Sequence, residues 1–343
     1  MSSSVEARLQ TELWRGAIPV EIHLAPDDVA SLAPPPPVFA LIPRGAYLPV
    51  WHDTAPDGPR AAFADSLAPG RDAQPPWFET HEEGLPLRWS VPAGVLYDVF
   101  RGAAADAPSA DESTLPWRLT AHYRAMTGPH AADEPAFRCG RVTGAVASDA
   151  TSAAKAHFFN ALKEATHVSR GSAKPVMAMS RAARENLWRS VVEGDRALAD
   201  AAEEELEAPA ARGESSSDQA PPIEGDPATT RRNGGAKPRR VPLRAYVVRT
   251  PAPRLRGGGG SLRSWDDVRV YSAPVELDED GSRTVGDALA SVCVDDVAKT
   301  LGDGAVVVAQ GVGLSLATSL EEAHARLKGA DHFLHVVVRV PEG

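Results

Sequence analysis

An α+β fold is predicted for this chain: two ubiquitin-like β-grasp domains flanking a helix-rich domain. Three observations predict it. Residues 17–125 carry apolar segments in the order strand, strand, helix, strand, strand, helix, strand, and the part from residue 241 onward repeats that order. The residues between them are rich in Ala, Leu, Arg and Glu, all good helix formers. The expected domains are an N-terminal helix (1–16), a first ubiquitin-like domain (17–125), a flexible linker (126–150), a helix-rich domain (151–202), a disordered linker (203–240) and a second ubiquitin-like domain (241–343).

Each element has a local reason. Over Val5 to Arg15, Leu9 and Leu13 share a helical face with Trp14 beside them, and Gly16 stops the helix. Ile18, Val20, Ile22 and Leu24 then alternate with polar neighbours, the pattern of a strand with one buried face. Val38 to Ile42 is a second strand, closed by Pro43 and preceded by Pro34 to Pro37. A helix is expected near Arg60 to Leu67. Trp77 to Thr80 and Leu85 to Ser90 flank His81–Gly84 as a hairpin. Ala93 to Phe100 is a short amphipathic helix, and Leu115 to Arg124 closes the domain as a strand.

Ala153 to Val168 and Val176 to Ala202 read as two helices with apolar stripes, broken by Gly171, Ser172 and Pro175. In the last domain Val241 to Arg249 and Val268 to Val275 are strands. Thr284 caps a helix through Val292. Ala305 to Ala309 is a strand with Leu314 to Leu316 pairing beside it. Ser319 starts a helix, and Phe333 to Val340 is the final strand. Gly102 to Ser113, Thr127 to Ala150 and Glu203 to Arg240 are too small, polar or biased to be assigned structure.

Composition narrows the function. The 343 residues carry a formal net charge of −10. That disfavours nucleic acid as a partner, because neutralising phosphates takes clustered Lys and Arg. The only cysteines, Cys139 and Cys293, read as two reduced thiols. The N-terminus lacks an apolar secretory core and no run approaches a membrane span, so a soluble protein with at most peripheral membrane contact is expected. There is no GxSxG, P-loop or HExxH. His332 and His335, three apart on a strand, are expected on opposite faces, unable to share a metal. No cofactor is expected.

Two motifs have bland readings beside sharper ones. Arg254 to Gly258 resembles a modifier tail but is internal, so coincidence is favoured over a tandem modifier. Arg231, Arg232, Lys237, Arg239 and Arg240 form a basic cluster, which balances the preceding acidic stretch or meets anionic lipid. Lys163 lies about 40° from Phe159 around the helix, at the edge of the apolar stripe. A Lys there packs its stem and leaves its amine in water. Nothing intrinsic to it announces a nucleophile.

The ordered segments resemble the autophagy protein 5 family over most of the chain. They include Leu13-Trp14-Arg15-Gly16 with Ile18-Pro19-Val20, Leu41-Ile42-Pro43-Arg44, Trp77-Phe78-Glu79, Gly84 to Trp89, Pro92 to Asp98, Leu115 to His122, Lys163-Glu164-Ala165, Leu187-Trp188, Val241 to Arg244, Gly311 and Phe333-Leu334-His335. No single piece is diagnostic; their order is specific. The resemblance implies that Lys163 takes an isopeptide bond from autophagy protein 12. It also implies a groove for the N-terminal helix of autophagy protein 16, with Trp14, Arg44 and Gly311 placed there. The resulting conjugate, without a catalytic residue of its own, promotes transfer of autophagy protein 8 from its conjugating enzyme to phosphatidylethanolamine. Such a protein is expected in the cytoplasm and peripherally on the preautophagosomal membrane. Two departures stand out: the chain is long for the family, and Ala197-Leu198-Ala199 replace expected aromatics. A module that binds autophagy protein 12 without a covalent bond is the competing reading, and an enzyme is a third.

Overall fold

In the computed structural model, which describes residues 8, 11–55, 58–69, 75–101, 115–139, 150–207, 239–250, 262, 264–293 and 305–341, the chain enters as a helical turn over residues 11–14. Strand β1 (Ala17–Leu24) buries Ile18, Val20, Ile22 and Leu24 and runs antiparallel to β2 (Val38–Pro43). Helix α1 (Leu48–Thr54) was not anticipated: Pro49 interrupts the sequence pattern but falls in the first turn, where its missing N–H costs nothing. Helix α2 (Pro59–Phe63) with the 3₁₀ turn Ala64–Ser66 occupies the expected helical stretch. Strand β3 (Trp77–Thr80) pairs with a later strand, and the hairpin expected with Leu85 to Ser90 is reduced to one bridge, Glu79 to Pro86. Thr80 N–H to Leu85 O and Leu87 N–H to Phe78 O are its backbone bonds, because Leu85 N–H donates to the Thr80 hydroxyl and the Thr80 carbonyl accepts from Gly84 N–H instead.

Helix α3 (Ala93–Arg101) follows, then β4 (Trp117–His122), which is parallel to β1 and antiparallel to β3. The first sheet has the order β2-β1-β4-β3. Of the linker expected over 126–150, the described residues 126–139 carry a 3₁₀ turn over Gly128–Asp133 and helix α4 (Glu134–Phe137), and residues 140–149 lie outside the described residues. Arg138 orders this stretch, being buried with its guanidinium donating to the Tyr123 and Arg124 carbonyls and paired with Glu134 at 3.0 Å.

The helix-rich region begins with α5 (Ala150–Arg170). The single helix expected over 176–202 is three: α6 (Lys174–Ala178), α7 (Arg181–Glu193) and α8 (Arg196–Glu207). Ser180 caps α7 by accepting from Ala183 N–H at 3.0 Å. Gly194, at φ +70°, ends it in the left-handed conformation that favours glycine. Helix α8 runs past residue 203, where a linker was expected, because Leu206 is buried in the helical core. Residues 102–114 and 208–238, which hold the first insertion and most of the second linker, fall outside the described residues.

The second lobe comprises β5 (Arg240–Thr250), β6 (Val268–Glu276), α9 (Val285–Val292), β7 (Val306–Ala309), β8 (Val312–Gly313), α10 (Leu320–Leu327) and β9 (Leu334–Pro341). Its sheet order is β6-β5-β9-β7-β8, with β5 and β9 parallel at the centre. Both sheets thus place a parallel pair between antiparallel neighbours, the β-grasp arrangement. Thr284 and Asp287 form a capping box on α9. The strand expected at 314–316 begins earlier, because Gln310 (φ +52°) and Gly311 (φ +76°) make a two-residue turn. Arg239 and Arg240, read as linker, lead into β5 and pair with Glu321 and Glu276.

The lobes are not independent beads. Helix α3 is sandwiched between them, which explains why Val95, Leu96, Val99 and Phe100 are all buried. Arg339 on β9 donates to the Val99 carbonyl at 2.6 Å, and burial draws its pKa down to about 10. Trp265 of the second lobe donates to the Pro86 carbonyl at 2.5 Å, stacks edge-on against Phe100, and lies under Arg88 at 4.7 Å.

Candidate functional site

Lys163 projects from the middle of α5. The residues around it divide the helix by face. Phe158 and Leu162 enter the helical core, while Ala161 and Ala165 pack on Phe333 of the second lobe. Small side chains at 161 and 165 let the helix approach closely. Arg244 on β5 locks the contact: its guanidinium lies 3.8 Å over the Phe333 ring and 3.1 Å from Glu164. Lys163 falls between these faces. It is half-buried, and its Nζ lies 3.5 Å from Asn160 Oδ1. The stem packs and the amine reaches the surface, on a helix held from two sides.

A cleft of about 400 Å³ opens where the N-terminal turn, the first lobe, the helical domain and the second lobe meet. Leu13, Trp14, Tyr47, Phe158 and Val191 supply its apolar wall, and Arg44, Arg196 and Lys328 are among its cations. Trp14 is half-buried against the helical core, with Arg196 at 5.3 Å over its ring.

Arg44 has a second role. Its guanidinium donates to Asp98 at 2.5 Å and to the Gly94 carbonyl at 3.1 Å. The same Asp98 oxygen accepts the Gly311 N–H at 3.1 Å. A Cβ at Gly94 would sit 2.8 Å from Arg44 Cβ, and one at Gly311 would sit 2.9 Å from Arg44 Cζ. Burial pushes the Asp98 carboxyl up, while Arg44 and the Gly311 N–H pull against it. Arg44 is therefore a clasp between lobes as well as a wall of the cleft.

Of the three residues assigned to a groove, Trp14 and Arg44 line the cleft. Gly311 sits behind Arg44, and its neighbour Gln310 reaches the wall. Asp98 and Gly94 escaped sequence reasoning. A lone carboxylate on a mostly apolar helix, Ala93 to Phe100, was the available signal. Arg244 and Phe333 were also missed as supports of Lys163, since nothing local joins residues 81 and 170 positions away.

The second-lobe wall is polar, and Tyr246, His335 and Asp331 bond one another within it. Tyr246 Oη lies 3.3 Å from His335 Nδ1, and His335 Nε2 lies 3.0 Å from Asp331. Burial works against the Asp331 charge, yet His335 and Arg244 hold its carboxyl below the usual range. Burial also opposes the charge on Glu203, but His332 at 3.8 Å, Lys328 and Arg196 bring its pKa down to about 2. His324, whose ring lies 3.1 Å from the His332 carbonyl, is pushed down to about 4 by burial. His332 is not on the strand as expected; it occupies a turn before β9 at φ +65°. Among the described residues, no group of three His, Cys, Asp or Glu side chains could hold a metal ion, and no helix is long and apolar enough to cross a membrane. The Arg254–Gly258 run and most of the basic cluster fall outside the described residues. Cys139 and Cys293 are both buried, and neither is in a disulfide. The arrangement offers the Lys163 amine at the surface and the cleft between the lobes.

Three family models match in series: the UblA domain of autophagy protein ATG5 over residues 13–123, its alpha-helical bundle region over 151–198 and its UblB domain over 240–338. Autophagy protein 5 of Arabidopsis thaliana is 30% identical over 362 aligned positions, covering 96% of each chain. Autophagy protein 5 of Oryza sativa subsp. indica is 31% identical over 291 positions, 81% of this chain and 66% of its own. A crystal structure of Kluyveromyces marxianus Atg5 superposes with a TM-score of 0.61 at 20% identity, covering 96% of this chain and 99% of that one, a likeness of fold.

Proposed function

The chain belongs to the autophagy protein 5 family, and we propose from that premise that it is a non-catalytic scaffold built around the Lys163 amine and the interlobe cleft. A role in autophagy, exercised through two ubiquitin-like domains, follows from membership. The finer reading is ours. Lys163 accepts the C-terminal Gly of the ubiquitin-like autophagy protein 12. The cleft receives the N-terminal helix of autophagy protein 16. The assembled conjugate, working in the cytoplasm and peripherally on the preautophagosomal membrane, promotes transfer of autophagy protein 8 from its conjugating enzyme to phosphatidylethanolamine.

One observation carries the covalent part: Lys163 reaches the surface from a helix pinned by Arg244, Phe333 and the helical core. In the reaction the neutral amine attacks the thioester carbonyl, the C–N bond forms, the C–S bond breaks, and the thiolate leaves. A free Lys titrates near pH ~10.4, so the proton must be taken by a group of the partner enzyme. The scaffold's contribution is position, which removes orientational freedom from a bimolecular step. The apolar wall of the cleft, flanked by Arg196 and Lys328, supports an amphipathic helical occupant.

Denaturing gels of cell extracts test the reading. Wild type is expected to show a species heavier by one ubiquitin-like domain, absent in Lys163→Arg, which keeps charge and stem but is not a competent acceptor. A band that persists in the variant refutes Lys163 as the acceptor. Wild type that co-purifies with the modifier yet shows no covalent band favours the non-covalent module.

A further inference from the structure

The open edge of the first sheet holds a feature that neither the cleft nor Lys163 uses. Strand β2 pairs with β1 alone and forms the sheet's border. Its pairing phase follows from three facts. Arg44 N–H donates to Gly16 O, which makes Gly16 and Arg44 a hydrogen-bonded pair. The register places Pro43 opposite Ala17 and Pro19 opposite Leu41. Hydrogen-bonded pairs alternate with non-bonded ones, so both prolines, which lack N–H groups, fall in non-bonded pairs. Phe39, opposite Glu21, shares that phase. Phe39 and Leu41 therefore turn their N–H and C=O groups away from β1, toward the free edge. Among the described residues, none is recorded bonding them.

The side chains of the same two residues stand out of the sheet, 67% and 64% exposed. Two apolar residues with unpaired backbone groups on a border strand form a template for another strand.

We propose that this edge binds a second copy of the chain, β2 against β2, antiparallel about a two-fold axis through Ala40. The edge is self-complementary in that arrangement. Phe39 of each copy lies opposite Leu41 of the other in a hydrogen-bonded pair, giving four backbone bonds and two apolar cross-strand contacts. One step outward, Pro37 meets Pro43. Neither has an N–H, so the ladder ends there and no donor is stranded. The contact is isologous and closes at two copies rather than growing into a fibre. So short a ladder buries little area, well below the ~1,200 Å² of a stable interface. The dimer is therefore weak and concentration-dependent, and salt strengthens it by screening two chains of net charge −10. Neither the covalent chemistry at Lys163 nor the cleft enters this inference.

Sedimentation velocity across a wide concentration range tests it on the full chain, for wild type, Phe39→Asp and Leu41→Asp. Amide hydrogen exchange at Phe39 and Leu41 is read in parallel. Wild type is expected to gain mass with concentration while those two amides slow several-fold. Each Asp variant stays monomeric with an unchanged melting temperature, since neither side chain is in the core. Wild type that stays monomeric throughout, or Asp variants that associate like wild type, overturns the proposal. Amides protected at every dilution without a change in mass also overturn it, in favour of a strand from another polypeptide.

Discussion

At the scale of single residues, the clasp is where a small change has the largest effect. Gly311 holds φ +76° with its Cα pressed toward Arg44, so any side chain meets both backbone strain and the guanidinium. Gly311→Ala is expected to cost on the order of 2 kcal/mol, read as a lower midpoint in urea. A midpoint equal to wild type would show that the turn relaxes freely. The buried histidines set the acid limit. His324 titrates near 4 in the fold against an ordinary 6.5, so its neutral form is favoured by folding. That contribution is complete above pH 6.5 and is lost as pH falls toward 4. Glu203, held to about 2 from 4.5, adds a second loss over that lower interval. His324→Gln should flatten the melting temperature between pH 6.5 and 4 relative to wild type. Parallel curves for the two proteins would assign the acid loss elsewhere. Lys163 was legible as a stripe-edge Lys from periodicity alone. The role proposed for it came only through resemblance, because a surface amine carries no local mark of its use.

Elements were legible where the signal is local. The alternation of Ile18, Val20, Ile22 and Leu24 gave β1, and Thr284 with Asp287 gave the start of α9. Thr284→Ala removes that cap and is expected to cost about 1 kcal/mol in a thermal melt; no change would mean that tertiary packing alone sets the helix start. Misreadings have equally local causes. Pro49 hid α1, the Leu85 N–H turned to the Thr80 hydroxyl where a longer strand was expected, and Gly194 split a helix whose composition is uniform. The buried Arg138 ordered a stretch that small and polar residues had disguised as linker.

For the whole molecule, the sequence revealed two copies of one topology but not their embrace. Helix α3 serves both lobes, and Arg339 reaches across 240 residues to Val99. Such contacts leave no periodicity to read. Arg339→Leu leaves that carbonyl without its donor, a loss of roughly 1–3 kcal/mol. A single calorimetric transition should lower and broaden toward two, as the lobes lose their coupling. A sharp transition at the wild-type temperature would mean that the lobes do not depend on this bond. Cleft and clasp share the Arg44 side chain.

In the proposed function one amine, that of Lys163 on a helix held by the helical core and the second lobe, is the acceptor. Tryptic mass spectrometry of the chain purified from cells under denaturing conditions tests it most directly. A branched peptide with the modifier's terminal Gly on Lys163, and none on Lys155 or Lys174, is the predicted result. Attachment to another lysine, or no branched peptide at all, would contradict it.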